Sequence, residues 1–133
     1  MAVASSNVRE FNLGLTAEAK KLVPREFARL QREVGLAALT GVVLKTPVDT
    51  GFARGRWTLS LGEPSEELAG DVDPGGGTTI GNGVNTLATL RPFQAIWIVN
   101  NAPYIERLEN GYSEQAPEGM LGLTLVEVSE RFK

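Results

Sequence analysis

Apolar or small residues recur at Phe27, Leu30, Val34, Ala37, Ala38, Gly41 and Val42, while Arg25, Glu26, Arg29, Arg32 and Glu33 fall opposite them. That is one face of a 3.6-residue period and predicts a long amphipathic helix. Pro24 suits its first turn, and Thr46 before Pro47 disfavours its continuation. Leu36, Leu39 and Val43 widen the stripe, so cover on more than one side is expected, with a partner subunit as the candidate. Upstream, Thr16-Ala17-Glu18 can open an earlier helix that Pro24 must break. Residues 1–15 read as an extended arm.

Arg56 to Leu61 alternates between two faces and predicts a strand with Trp57, Leu59 and Leu61 inside. Leu68 to Val72 reads as a short return strand, and Gln94 to Asn100, apolar on both faces, as a central one. Between them Asp73-Pro74-Gly75-Gly76-Gly77, then Gly81 and Gly83, mark residues 71–85 as a long flexible loop. Val84, Leu87, Ala88 and Leu90 have the spacing of one or two helical turns. Pro103 opens a short helix through Ile105 and Leu108 that Gly111 can end. From Pro117 to Phe132, Leu121, Leu123 and Leu125 alternate, yet Leu121, Leu125, Val128 and Phe132 are helically spaced; Pro117-Glu118 at the start favours helix.

Length changes the picture first: 133 residues is one domain, 1–133, large enough for a core without staples. With Cys 0 and His 0, disulfides, thiolate nucleophiles, Cys-rich zinc sites, serine-type triads and His bases are excluded. A net charge of −3 argues against a free-standing nucleic-acid binder. The start MAVASSNVREFNLGL is not of the secretory type, and no run of about 18 apolar residues occurs, so a soluble protein made inside the cell is expected, with no membrane partner. The charge is also polarised: residues 1–62 carry +4 and residues 63–133 carry −7. Such a split suits head-to-tail association.

Asp49-Thr50-Gly51 is the triplet on which homodimeric aspartic proteases place their catalytic carboxylate. Here Pro47 precedes it and FARGRW follows, a setting in which Asp49 bonding backbone amides and Gly51 at positive φ make a turn. Gly75 to Thr79 lacks the Lys of a phosphate-binding loop. Asp71 and Asp73, or Glu63, Glu66 and Glu67, lack the alternating ligands of a calcium loop and read as solvated charge. Trp57 and Trp97 are expected in the core. Tyr104 and Tyr112 flank Glu106, Arg107 and Glu109, a pattern that suits either an interface rim or ordinary amphipathic packing.

Two stretches form an ordered pair. PVDTGFARGRWTLSL resembles the link between the long helix and the first strand in the small tail-completion, or tail-component, family of long-tailed bacteriophages. NNAPYIERLENGYSEQAPEGMLGLTLVEV resembles that family's second signature, a strand end, an Ala-Pro-Tyr helix closed by Leu-Glu-x-Gly, and a final helix. The resemblance implies an α+β domain, with a long N-terminal helix and a C-terminal helix packed on a small antiparallel sheet. It also implies a non-enzymatic virion protein of the neck, with no cofactor or metal, that forms a homo-oligomeric, hexameric ring through which genomic DNA passes. Other neck and tail proteins would be its partners. Asp49, Thr50 and Gly51 would shape the helix-to-strand turn, and Pro103, Tyr104, Leu108, Glu109 and Gly111 the second signature's turn and helix. Phe52-Ala53-Arg54 departs from the family's usual basic run at that point. Arg54, Arg56, Tyr112 and the 71–85 loop are the expected partner contacts. The alternatives are a tail terminator of the same neck, an aspartic protease using Asp49, and a module that captures a peptide along a sheet edge.

Overall fold

The computed structural model describes residues 23–47, 53–66, 72–102, 105, 109–110 and 119–132. Helix α1 (Pro24–Lys45) begins with Pro24 in its first turn, where the missing N–H costs no bond. Glu26 in the first turn and Lys45 in the last complement the helix dipole. Thr46 is extended (φ −74°, ψ 135°). The proline that follows it disfavours a further helical residue. A 3-10 turn, Arg54–Arg56, leads into β1 (Trp57–Leu61), followed by α2 (Gly77–Leu87), β2 (Ile96–Asn100) and α3 (Leu121–Arg131).

The strands pair antiparallel, with Trp57 opposite Asn100, Leu59 opposite Ile98 and Leu61 opposite Ile96. Three helices and one two-stranded antiparallel sheet among the described residues make the chain α+β. The core joins Leu39, Val42 and Val43 of α1 to Trp57, Leu59 and Ile98 of the sheet, Leu87 of α2, Ile105, and Met120, Leu121 and Val128 at the C-terminal end. Leu39 is wholly buried, and its truncation to Ala costs about 2–5 kcal/mol.

The expected 71–85 loop is corrected: from Gly77 onward it is α2. Glycines 81 and 83 lower helix propensity by about 1 kcal/mol each relative to Ala, which is why they read as breakers. Packing overrides that loss. Leu39 of α1 stands so close to Gly83 that a Cβ there would collide with its Cδ2. Reciprocally, Leu87 of α2 lies 3.2 Å from where a Cβ on Gly35 of α1 would stand. Each helix thus sets a leucine against the other's glycine. Part of the widened α1 stripe is covered within the chain: Leu39 and Val43 are buried against α2 and the turn before it, while Leu36 stays exposed.

Two smaller corrections concern the sheet. Arg56 belongs to the 3-10 turn and not to β1. Trp97, expected in the core, is half-buried and donates its Nε1–H to the carbonyl of Gly62 (3.0 Å), so its indole covers the end of the β1–β2 ladder. The C-terminal ambiguity resolves to helix, as Pro117-Glu118 suggested.

Candidate functional site

The C-terminal end of α1, the 3-10 turn and the outer end of the β1–β2 ladder converge on a set of backbone carbonyls that no helix or strand can satisfy. Arg54 takes three of them. Its Nε donates to the Thr46 carbonyl (2.9 Å), Nη2 to Leu44 (2.8 Å) and Nη1 to Pro74 (2.8 Å). The first two lie at the carbonyl end of α1, where a fixed cation also meets the negative end of the dipole. The third ties that end to the turn before α2. Buried Thr46 donates its hydroxyl to the Val42 carbonyl (2.6 Å) and accepts from Trp57 Nε1 (2.7 Å), so the indole that fills the core is also satisfied.

Across the ladder from Trp57, buried Asn100 donates Nδ2–H to the Ala53 carbonyl (2.9 Å) and accepts from the Ala102 amide (3.0 Å) through Oδ1. One side chain thereby joins Ala53 of the first sequence signature to Asn100 and Ala102 at the start of the second. Next to it Asn101 Nδ2 donates to the Ser65 carbonyl (2.9 Å).

Within the second signature, Glu109 reaches the start of α3. Helix α3 has no side-chain cap of its own. The Glu109 carboxylate supplies one from ten or so residues upstream: Oε1 accepts from the amides of Met120 (3.0 Å) and Leu121 (2.8 Å), and Oε2 from Gly122 (3.1 Å). A carboxylate at a helix N-terminus gains from both the orphan N–H groups and the dipole. Gly119, at φ +82°, is required beside it, because a Cβ there would collide with the Glu109 carbonyl.

Asp73 does the same for α2. Its Oδ2 accepts from the Thr79 amide (2.8 Å) and hydroxyl (2.8 Å). Burial pushes this carboxyl's pKa up, but the amide and hydroxyl of Thr79 and the amides of Gly76 and Thr78 outweigh burial and hold it below the ordinary value. The aspartate weighed as a cation ligand is a helix cap. Among the described residues no group of three or more Asp and Glu side chains lies together as a metal site, and no helix is long and apolar enough to cross a membrane.

Of the residues singled out in sequence, Asp49, Thr50, Gly51, Pro103, Tyr104, Leu108, Gly111 and Tyr112 lie outside the described residues, as do Asp71, Thr16 and the 1–15 arm. Glu109 is described and binds α3 as above. Arg54, expected at a partner, is engaged with its own backbone, and Arg56 is half-buried beside it. The sequence reading missed Thr46, Asn100, Gln31 and Phe93. For Asn100 a signal existed, a polar pair closing an apolar strand. For Phe93 it was Pro92 at the second position of the turn Arg91–Gln94, which the Gln94 amide closes on the Arg91 carbonyl (3.1 Å). Phe93, the third residue, takes φ 67°, the left-handed region that costs an L side chain about 1–2 kcal/mol. Comparison with family models, with curated proteins and with solved structures finds no match for this chain.

Proposed function

We propose that this chain is a structural subunit of a long-tailed phage neck that completes the tail and joins it to the head. It works as a homo-oligomeric ring, with six copies the expected number, around the channel through which genomic DNA passes. In this reading α2 covers the small β1–β2 sheet while α3 packs on α1, which differs from the expected packing of the first and last helices on the sheet; assembly takes place in the host cytoplasm, and the finished site is the virion, against other neck and tail proteins. The work is geometric fit and no catalysis is assigned. A tail terminator would use the same architecture one position along the neck.

The observation that carries the reading is the meeting of the two signatures. The Asn100 side chain binds the Ala53 carbonyl, so stretches 47 positions apart in sequence share one buried joint. A resemblance spread over two distant segments gains weight when both serve one structural unit, and here Arg54, Thr46, Asn100 and Glu109 all spend their polar atoms on fixing backbone. A ring subunit needs that rigidity, together with unlike surfaces for a head-to-tail contact, which the +4 and −7 segments supply. The test is direct. Purified protein, alone and with neck partners, is measured by size-exclusion chromatography with light scattering, and phage particles are imaged in negative stain with label on this chain. Annular oligomers and label at the head–tail junction are expected. A strict monomer under every condition, label elsewhere on the particle, or turnover of any substrate refutes the proposal.

A further inference from the structure

The β1–β2 ladder has two faces. Alternation puts Trp57, Leu59 and Leu61 with Ile96, Ile98 and Asn100 on the core side, and therefore Thr58, Ser60, Trp97 and Val99 on the other. Directly after β1 the chain turns back and crosses this second face. Gly62, at φ +83°, makes the reversal, and its amide still closes the ladder on the Ala95 carbonyl (2.8 Å). Side chains of the second face then take carbonyls of the returning segment. Trp97 Nε1 donates to Gly62 (3.0 Å), Ser60 Oγ to Glu63 (2.6 Å), and Asn101 Nδ2, two residues beyond Val99, to Ser65 (2.9 Å). Pro64, between them, has no amide to offer a neighbouring strand.

These anchors differ in kind from those of the turn that enters β2 at the same end of the ladder. That turn is tied to α1: Gln31 Oε1 accepts from the Phe93 amide (2.9 Å) and Nε2 donates to the Gln94 carbonyl (2.9 Å). The anchors of residues 62–65 come instead from the sheet that the segment crosses. Two of the three lie in exposed surroundings, where water replaces them at little cost. Gly62 and Glu63 are exposed and Pro64 and Ser65 half-buried, so the segment itself keeps little apolar surface from water. On the face it crosses, Val99 is wholly buried and Trp97 half-buried. On the core side Leu59 and Ile98 are buried among residues of α1 and α2, and parting those requires global unfolding. One face of the ladder is closed by a packed core, and the other is crossed by a segment held at polar points.

We infer that residues 62–65 are a strap, with Gly62 the hinge and Asn101 the latch, that opens as a unit and uncovers Val99 and Trp97 while the core side of the ladder stays folded. Such a motion is a local opening that costs less than unfolding the chain. It goes beyond the ring reading and does not depend on it. With Cys 0 in the chain, one introduced thiol is a unique probe. Val99→Cys keeps a small apolar side chain at the site. Its rate of reaction with an aromatic disulfide reagent, in the folded whole chain, reads the opening. Two results are expected. Low urea should leave the rate nearly flat, because strap opening exposes little surface, whereas global unfolding, followed by tryptophan fluorescence, responds steeply. Adding Asn101→Ala releases the latch and should raise the rate about fivefold, the worth of one hydrogen bond. Should Val99→Cys not fold, exchange of the Trp97 indole Nε1–H, which the Gly62 carbonyl holds, reads the same opening with Val99 intact, and the same two results are expected of it. A rate that climbs with urea as steeply as global unfolding overturns the strap, since the thiol or indole is then reached only through the unfolded chain. A rate indifferent to Asn101→Ala overturns it as well, since the latch then holds nothing.

Discussion

Replacing Glu109 with Ala removes both carboxylate oxygens and with them the three hydrogen bonds that hold the N-terminal amides of α3, those of Met120, Leu121 and Gly122. Loss of an N-cap costs about 0.5–2 kcal/mol, and a carboxylate at a helix N-terminus adds about 0.3–1 kcal/mol through the dipole. The Met120 and Leu121 amides are only part-buried, so water recovers some of the loss, and about 2 kcal/mol is expected for Glu109→Ala. For a chain of 133 residues that lowers the melting temperature by roughly 6–10 °C. Glu109→Gln isolates the charge. Its carbonyl can still accept from Met120 and Leu121, but its NH2 then faces the Gly122 donor, and about 1 kcal/mol is expected. Urea unfolding followed by tryptophan fluorescence measures both losses, and amide hydrogen exchange locates them. Protection should fall first at Met120, Leu121 and Gly122 and then along α3, leaving β1 and β2 unchanged below the global unfolding limit. The reasoning is refuted if Glu109→Ala costs under about 0.5 kcal/mol, the size of an ordinary surface change, or if the lost protection appears in the sheet and not in α3.

Asp73 links stability to acid. Its folded pKa lies below the unfolded one, so the capping contribution is fully present above the ordinary value of 3.8 and disappears as pH falls through the lower folded value. Asp73→Asn should therefore flatten the acid limb of a stability-against-pH curve, and an unchanged limb would contradict the assignment. Gly83→Ala tests packing against propensity: the helix scale favours Ala by about 1 kcal/mol, but the collision with Leu39 should make the variant less stable by about 1–3 kcal/mol, so a melting-temperature increase would refute the α1–α2 geometry. Asn100→Leu leaves the Ala102 amide without its acceptor and the Ala53 carbonyl with the Arg56 amide as its remaining donor, and a loss of about 1–3 kcal/mol in urea unfolding is expected.

Among the described residues, the elements with a repeating pattern were legible in the sequence. The period of α1, the alternation of β1, the two-sided apolar run of β2 and the helical spacing in α3 each encode a face that must be buried, and that information is local. Chain punctuation was legible too, in Pro24 at the start of α1 and Pro47 after its end. Helix α2 was not, because its glycines weigh against helix in any local reading. Their value lies in letting Leu39 and Leu87 approach, which depends on a second helix and not on neighbours in sequence. The second signature pointed to Glu109 without showing what it holds, since a carboxylate's partners are amides whose positions follow from how the chain closes.

The sequence alone therefore determined which faces seek cover, where α1 begins and ends, the absence of thiol and imidazole chemistry, and the uneven placement of charge. Tertiary structure decided which polar side chains meet which orphaned backbone groups: Arg54 with the end of α1, Asn100 with Ala53, Glu109 with α3, Gln31 with the turn of Phe93. Periodicity is a property of a segment, and one face can be read from a dozen residues. A hydrogen bond between segments needs both ends placed to within a few tenths of an ångström, and only the packed core sets that distance.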